Sequence, residues 1–179
     1  MSMEDTATQS NGLTVSHFLG EMTWLLSQSP LHADLRIKDL EWLIMPPLAL
    51  EQFYLFREGG RPVGLALWAR CGNEAVKKIQ NPYSPGFPKL DLEDWNSGDE
   101  TWLIDLICPF ATSENRQREL MIADLIVKPL ADIDLHMHHV AEDGERRVVV
   151  VDAATRGRLL SALEKAVVAE TGATSGSAA

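Results

Sequence analysis

One carboxylate interrupts an apolar run near the middle of the chain. The run extends from Trp102 to Phe110, and Asp105 is its only charged residue. Its branched and aromatic side chains predict a buried strand. An ionised carboxylate is costly to bury in such a strand unless another group pairs with it. The chain must therefore fold so that a polar partner reaches Asp105, and this requirement limits how the other elements can pack.

A histidine far from this strand in the sequence is the best candidate for the partner. Residues 14–28 show the apolar spacing of an amphipathic helix, and Pro30 ends it because the residue before a proline is pushed out of the helical conformation. His32 follows in a short connection, and an imidazole paired with Asp105 suits proton transfer near neutral pH. From residue type alone two alternatives stay open: His32 as a capping or loop histidine, and Asp105 as a carboxylate that accepts backbone N–H groups.

The other segments predict a mixed α/β fold. Glycines at 59 and 60 lie between two apolar runs, as is typical of a hairpin, and a second hairpin is expected around Asp143-Gly144. The remaining expected elements are a helix that Asp34 caps and Pro46-Pro47 end, a short helix over 73–79, a loop over 81–88, a central strand over 101–107, a helix from Ser113 to Lys128, and a final helix that Asp152 caps. This order predicts a mixed, mostly antiparallel sheet with flanking helices.

Length and charge restrict the domain organisation and the class of protein. A chain of 179 residues is expected to form a single domain, here over 13–170, with disordered ends at 1–12 and 171–179. The net charge of -10 disfavours nucleic acid and anionic membrane surfaces as partners. Two cysteines without CxxC spacing argue against a disulfide framework or a zinc knuckle. No signal peptide or transmembrane stretch is evident, so we expect a cytoplasmic protein.

Two motifs and a hairpin between them form one pattern in the sequence. The first motif is Gly20-x-x-x-Trp24-Leu25-x-x-x-Ser29-Pro30-Leu31-His32. The second motif is Asp94-Trp95-x-Ser97-Gly98-Asp99-x-x-Trp102-x-Ile104-Asp105-x-Ile107-x-Pro109-Phe110. The hairpin carries Arg57, Gly60, Pro62, Val63 and Trp68. With this spacing the pattern resembles that of the RTX toxin-activating lysine acyltransferases, the hemolysin-activating type, over roughly residues 13–152.

The resemblance implies both a fold and an activity. The fold would be similar to the GCN5-type N-acetyltransferases. The activity would be transfer of a fatty acyl group from acyl carrier protein to internal lysines of an RTX-type protoxin, with acyl-acyl carrier protein as co-substrate and no other cofactor. The family's catalytic histidine and aspartate fall on His32 and Asp105, and its motif serine falls on Ser29.

The chemistry of these residue types fits that reaction. A lysine amine, with a pKa of about 10.4, must lose its proton before it attacks a thioester. His32 suits the general base, and Asp105 would fix its tautomer and stabilise the imidazolium. Alternatively His32 attacks the thioester and carries the acyl group. Ser29 is either an oxyanion donor or a cap or turn residue.

The donor and its docking surface can also be predicted. The segment 109–113 lacks the glycines with which coenzyme A-dependent acetyltransferases bind a pyrophosphate, and this favours a carrier-protein donor. Acyl carrier protein is acidic, so a basic face is expected at its docking site. Arg116, Arg118 and Lys128, on or near one helix, are the candidates. A second basic group comprises Arg146, Arg147, Arg156 and Arg158. A solvated surface is the alternative interpretation of both groups.

Several alternatives stay open from the sequence. His136, His138 and His139 suggest a metal, but no fourth ligand follows at a known spacing, so no metal is expected. Cys108 is expected to be a small buried residue that points away from Asp105. A non-catalytic adaptor of an RTX protein and a coenzyme A-dependent N-acetyltransferase are the rival functions. An apolar patch on the first helix or the outer hairpin would support a homodimer.

Overall fold

A five-stranded open sheet with helices on both faces makes up the part of the protein that the computed structural model describes, residues 14–81, 88–141 and 144–174. The helices are α1 (Val15–Gln28), α2 (Leu40–Leu43), α3 (Met45–Ala49), α4 (Asn73–Ile79), α5 (Gln117–Val127) and α6 (Ala153–Thr174). The strands are β1 (Phe53–Glu58), β2 (Arg61–Cys71), β3 (Glu100–Ile107), β4 (Leu135–Val140) and β5 (Arg146–Val151). This architecture confirms the predicted α/β class.

The strands follow one another in the sheet in chain order. Every neighbouring pair is antiparallel except β3 and β4, which are parallel. Only two residue pairs join β3 to β4, Thr101 with Leu135 and Trp102 with His136. The residues of β3 after Trp102 therefore have no partner in β4.

The two faces of the sheet carry different helices. One face packs against α1, α2 and α3, whose apolar side chains bury Leu65 and Leu67 of β2. The opposite face packs against α5 around Ala66, Trp68 and Leu103. A third cluster, centred on Trp95 and Trp102, fills the end of the sheet under α4.

A β-bulge in β3 decides which face Asp105 occupies. Leu67 lies opposite Asp105 and Trp68 lies opposite Leu103, so Ile104 is an extra residue between them. Leu103 packs on the α5 side, and strict alternation would return Asp105 to that side. The extra residue shifts the alternation by one. Asp105 consequently faces α1, while Cys108, as expected, packs on the other side.

Two helix boundaries differ from the sequence prediction. Asp34 does not cap the second helix; a 3-10 turn over Ile37–Asp39 precedes α2, and the Asp39 carboxylate accepts the Arg36 N–H at 2.8 Å. Pro46 and Pro47 do not end a helix but lie in the first turn of α3. Proline is tolerated there because the first N–H groups of a helix have no partner within the helix.

The start of α5 and the end of α6 also differ from the predicted boundaries. α5 begins at Gln117 rather than near Ser113, because Asn115 forms a turn in which its carboxamide oxygen accepts the N–H groups of Thr112 and Gln117. Asp152 caps α6 as predicted, accepting the Thr155 N–H at 2.7 Å. α6 continues through 171–174, and the expected disordered segment 1–12 lies outside the described residues. No helix in the described ranges is long and apolar enough to cross a membrane.

Candidate active site

The turn after α1 places His32 by local interactions. Ser29 caps α1, and its N–H donates to the Leu26 carbonyl at 3.1 Å. Pro30 begins the 3-10 turn Pro30–His32, whose last N–H donates to the Ser29 carbonyl at 2.9 Å. Because proline fixes one backbone torsion and the turn fixes the next residues, the imidazole is aimed inward. Only 4% of His32 is exposed.

Ser29, His32 and Asp105 form one hydrogen-bonded chain. His32 Nε2 lies 2.8 Å from Asp105 Oδ2, and His32 Nδ1 lies 2.7 Å from Ser29 Oγ. A carboxylate only accepts hydrogen bonds, so the Nε2–H donates to Asp105. In the neutral ring Nδ1 then accepts, and the Ser29 hydroxyl donates to it. The structure thus brings together the three residues that the sequence predicts for the active site.

Burial strengthens this arrangement. The side chains of His32 and Asp105 are 2% and 9% exposed. In a poorly solvated environment the attraction between a carboxylate and an imidazolium is stronger than in water. A proton taken up by His32 at Nδ1 would therefore be stabilised by Asp105 on the far side of the ring. The chain of groups can accept a proton at its Ser29 end.

A pocket of about 290 Å³ lies beside His32. Its remaining walls come from α1, from the segment after it and from the start of α2. The apolar wall residues are Leu26, Ala33, Leu35, Ile37 and Leu40, and the polar ones are Thr23, Ser27 and Arg36. An aliphatic chain suits such a lining because transfer of apolar surface out of water is favourable. Ile37 and Leu31, which are 89% and 82% exposed, extend the apolar surface beyond the pocket.

The predicted docking residues occupy both ends of α5. Arg116 precedes the helix in a left-handed conformation, with φ of 48°, and Arg118 lies in its first turn. Arg118 Nη1 is 3.7 Å from Cys108 Sγ, at the carboxyl end of β3. Lys128 follows the last turn, about 18 Å along the helix axis, and pairs with Asp124 at 2.6 Å. Arg118 is therefore close to the carboxyl end of β3, and Lys128 lies at the opposite end of α5.

Arginines of the second basic group bind neighbouring polar groups. Arg156 donates to the carbonyls of Leu130 and Ile133, and Arg158 donates to Thr155 Oγ1 at 3.0 Å. Arg147 pairs with Glu145 at 3.2 Å. These contacts fix the arginine side chains against β5 and α6.

The histidines of β4 pack against an aromatic ring. His136 stacks on Trp102 with ring centroids 5.1 Å apart, and His138 lies 5.6 Å from the same ring. Burial lowers the pKa of His138, and Arg146, which donates to its Nδ1 at 2.9 Å, lowers that pKa further. His139 faces the other way, opposite Arg147. No group of three or more His, Cys, Asp or Glu residues in the described ranges is arranged to hold a metal ion.

Neither cysteine thiol has the lowered pKa that favours nucleophilic attack. Burial raises the pKa of Cys71 to about 12. Burial also raises the pKa of Cys108, although Arg118 opposes the effect. A thiol with a raised pKa contains little thiolate at neutral pH and reacts slowly.

Sequence reasoning missed one cation near the site. Arg61, at the start of β2, lies against the neighbouring rings of Trp24 and Phe110. These residues come from the hairpin, from α1 and from the segment after β3. Only the folded chain brings them together, so no spacing in the sequence indicates the contact.

Comparisons with known proteins identify the family of this chain. The model of the RTX toxin acyltransferase family matches residues 11–154. The leukotoxin-activating lysine-acyltransferase LktC of Mannheimia haemolytica serotype A11 is 33% identical over 116 residues, which cover 64% of this chain and 67% of that protein. The protein-lysine myristoyltransferase RtxC of Kingella kingae is 31% identical over 137 residues, 76% of this chain and 70% of that protein. The chain therefore belongs to the RTX toxin acyltransferase family.

Proposed function

We propose that this protein transfers a fatty acyl group from acyl carrier protein to an internal lysine of an RTX-type protoxin. The observation that carries the proposal is the buried chain Ser29–His32–Asp105, found in a member of an acyltransferase family. The names of the relatives support the acceptor, since they are lysine acyltransferases and one is a protein-lysine myristoyltransferase. Action in the cytoplasm is part of the proposal.

The reaction needs a base and a route for one proton. A neutral lysine amine attacks the thioester carbonyl, and the C–S bond breaks as the C–N bond forms. The nitrogen's proton passes to the Ser29 hydroxyl as that hydroxyl gives its own proton to His32 Nδ1. Asp105 stabilises the imidazolium through Nε2, and the imidazolium then protonates the departing thiolate.

The pocket beside His32 supports aliphatic substrates. A fatty acyl chain and the side-chain stem of lysine are both aliphatic, and five of the nine residues that line the pocket are apolar, Leu26, Leu35 and Leu40 among them. Apolar walls also favour the neutral amine, because desolvation destabilises the ammonium form. The deprotonated lysine that the attack requires is therefore favoured at this location.

The entrance to α5 supports a carrier protein rather than coenzyme A as donor. A pyrophosphate bound at a helix N-terminus needs free backbone N–H groups. Here Asn115 Oδ1 already accepts the N–H groups of Thr112 and Gln117, at 2.9 and 3.1 Å. Docking of the acidic carrier protein at Arg116 and Arg118 is part of the proposal, and a role for Lys128 and a homodimer stay predictions.

The proposal includes a fold like that of the GCN5-type N-acetyltransferases over a single domain, 13–170. Its support is the parallel pair β3–β4, whose strands separate after two residue pairs. Ligands of α/β folds bind in crevices beyond the carboxyl ends of parallel strands. Asp105 lies in the half of β3 that has no partner in β4.

The test is co-expression with the genomically adjacent RTX protein and acyl carrier protein, followed by peptide mass spectrometry of the RTX lysines. We expect acylation with the unaltered chain and with His17→Ala, which removes an exposed histidine of α1. His32→Ala should abolish it. Bound RTX protein without acylation would favour the adaptor, and acylation by His32→Ala would exclude His32 as the base.

A further inference from the structure

Arg61 is held in a fixed position at the tip of the first hairpin. Its Cζ lies 5.4 Å from the centroid of the Trp24 ring and 5.2 Å from that of Phe110. The two rings are 5.9 Å apart and tilted by 40°. The three distances form a nearly equilateral triangle, so the guanidinium lies against both rings from one side, where cation–π attraction stabilises it.

A second contact anchors the hairpin tip to α1. Arg57 donates to both carboxylate oxygens of Glu21, and also to the Gly60 carbonyl at 3.2 Å. His17 adds a contact to Glu21 at 3.3 Å. The Glu21 carboxylate is therefore occupied, and the residue before Arg61 cannot move away from α1.

The Arg61 charge is not neutralised by the described residues. No carboxylate oxygen of these residues lies within 4.0 Å of it, although Glu58 is its partner in the register of the hairpin. Arg61 is an exposed residue. Its N–H groups are thus available to an anion from outside the chain, and a guanidinium binds phosphate through two parallel hydrogen bonds.

The position of Arg61 relates it to the active site. Trp24 precedes Ser29 by five residues of helix, about 8 Å. Phe110 follows Asp105 by five residues, which span at most about 18 Å. Arg61 touches both rings, so it lies at the carboxyl end of β3, removed from His32 by a distance that a long flexible substrate arm can bridge.

We propose that Arg61 binds the phosphate of the phosphopantetheine arm on which acyl carrier protein presents its acyl group. This inference rests on the proposed function. The arm places its phosphate far from its thioester, so a cation at this distance holds the arm while the thioester reaches His32. Arg118 of α5 contacts Cys108, which lies two residues before Phe110 in the segment that follows β3. The phosphate of coenzyme A offers the same chemistry, and the test separates the two sources.

The first test is binding of holo- and apo-acyl carrier protein, which differ only in the arm, measured by calorimetry. Arg61→Gln should weaken binding of the holo form about tenfold and leave binding of the apo form unchanged. Arg70→Gln is the matched control, because Arg70 is an exposed arginine at the other end of β2, 3.5 Å from exposed Asp99. It should change neither affinity. An equal loss for both forms, or no loss, would overturn the inference.

The second test uses small acyl thioesters as donors. Arg61→Gln should raise the KM for acyl-phosphopantetheine and leave turnover of acyl-pantetheine, which lacks the phosphate, unchanged. Unchanged acyl-pantetheine turnover also demonstrates an intact fold. If Arg61→Gln weakens coenzyme A binding but not holo-carrier binding, the phosphate is that of coenzyme A and the assignment to the carrier protein is wrong. If the unaltered chain transfers no acyl group, the proposed function fails, and the holo–apo comparison still decides this inference.

Discussion

His32 uses both nitrogens of its ring in the resting structure. Nε2 is bonded to Asp105 and Nδ1 to Ser29, and almost none of the side chain is exposed. A histidine that attacked a thioester directly would first have to break one of these bonds. The geometry therefore favours a base over an acyl carrier, and it places the Ser29 hydroxyl on the ring nitrogen that Asp105 does not occupy.

Asp105→Asn should lower the acylation rate about 10²–10⁴-fold. The carboxamide keeps the size of the side chain but supplies no charge to stabilise the imidazolium. Rates from single-turnover acylation, read by mass spectrometry, check this. Asp99→Asn, at a fully exposed carboxylate, is the control and should change nothing. A rate within a factor of two of the unaltered chain would remove Asp105 from the mechanism.

Ser29→Ala should lower the same rate about 10- to 100-fold, less than His32→Ala does. Loss of the hydroxyl frees Nδ1, so the amine or a water can deliver the proton directly. The intact mass of the enzyme, measured with acyl-acyl carrier protein and no acceptor, is the second readout. A stable acyl adduct that Ser29→Ala removes would contradict the relay and make Ser29 the nucleophile.

Glu21 should contribute stability that depends on pH. Its hydrogen bonds to Arg57 hold the pKa of Glu21 below its usual value of 4.5. A carboxyl whose pKa is lowered by folding stabilises the fold above the unfolded pKa, and this contribution is lost as the pH falls through the folded value. The urea midpoint of the unaltered chain should therefore fall more steeply below pH 4.5 than that of Glu21→Gln. Glu74→Gln, at an exposed pair with Lys77, should match the unaltered chain; identical slopes for Glu21→Gln would refute the prediction.

At the scale of elements, a close turn supports the entry into β3. The Ser97 N–H donates to the Arg70 carbonyl at 2.8 Å, and Ser97 Oγ accepts the Gly72 N–H at 2.8 Å. The turn packs on the end of β2. β2 pairs with β3, the strand that carries Asp105, and fixes its register. A glycine at 98 permits this approach, since a Cβ there would lie 2.6 Å from the Cys71 carbonyl oxygen.

Gly98→Ala should lower the free energy of unfolding by about 1–3 kcal/mol. The added Cβ would meet backbone atoms of Cys71 and Gly72, which cannot move aside as a side chain can. Gly157→Ala is the comparison, because nothing lies within 4 Å of a Cβ at that position of α6. It should raise stability by about 0.5–1 kcal/mol. Chemical denaturation of both variants checks the signs, and a stabilising Gly98→Ala would show that the turn is not tightly packed.

At the scale of the whole molecule, the sheet consists of two unequally connected parts. β1, β2 and β3 share long antiparallel ladders, whereas β4 and β5 join them through two residue pairs. The connection between these parts is therefore weaker than the connections within the first part.

Hydrogen exchange should report this difference. Amides of β2 should exchange slowest, because β2 pairs with both β1 and β3 and is buried by helices. Amides of β5, an edge strand with Val148 and Val150 at 43% and 40% exposure, should exchange faster. Mass spectrometry of peptic fragments measures both. Equal protection of β5 and β2 would mean that the two parts unfold as one unit.

The local elements were predictable because their signals act over a few residues. Thr14 caps α1 and Pro30 follows its end, the glycines at 59 and 60 turn the first hairpin, and Asp152 caps α6. The errors at Asp34, Pro46-Pro47 and Ser113 have a common cause. Asp, Pro and Ser each occur at more than one position near the end of a helix. Which position each one takes here depends on neighbouring side chains such as Asp39 and Asn115, which hydrogen-bond to the backbone.

The sequence by itself determined that Asp105 needs a partner, and its motifs identified His32 and Ser29 as the residues to join it. The tertiary structure decided how they meet. His32 and Asp105 are 73 residues apart, and the extra residue Ile104 turns Asp105 to the face where the histidine lies. It also decided the position of Arg61 against two rings from separate elements. Such contacts depend on the register and packing of distant segments, whose energies appear only when the chain is folded.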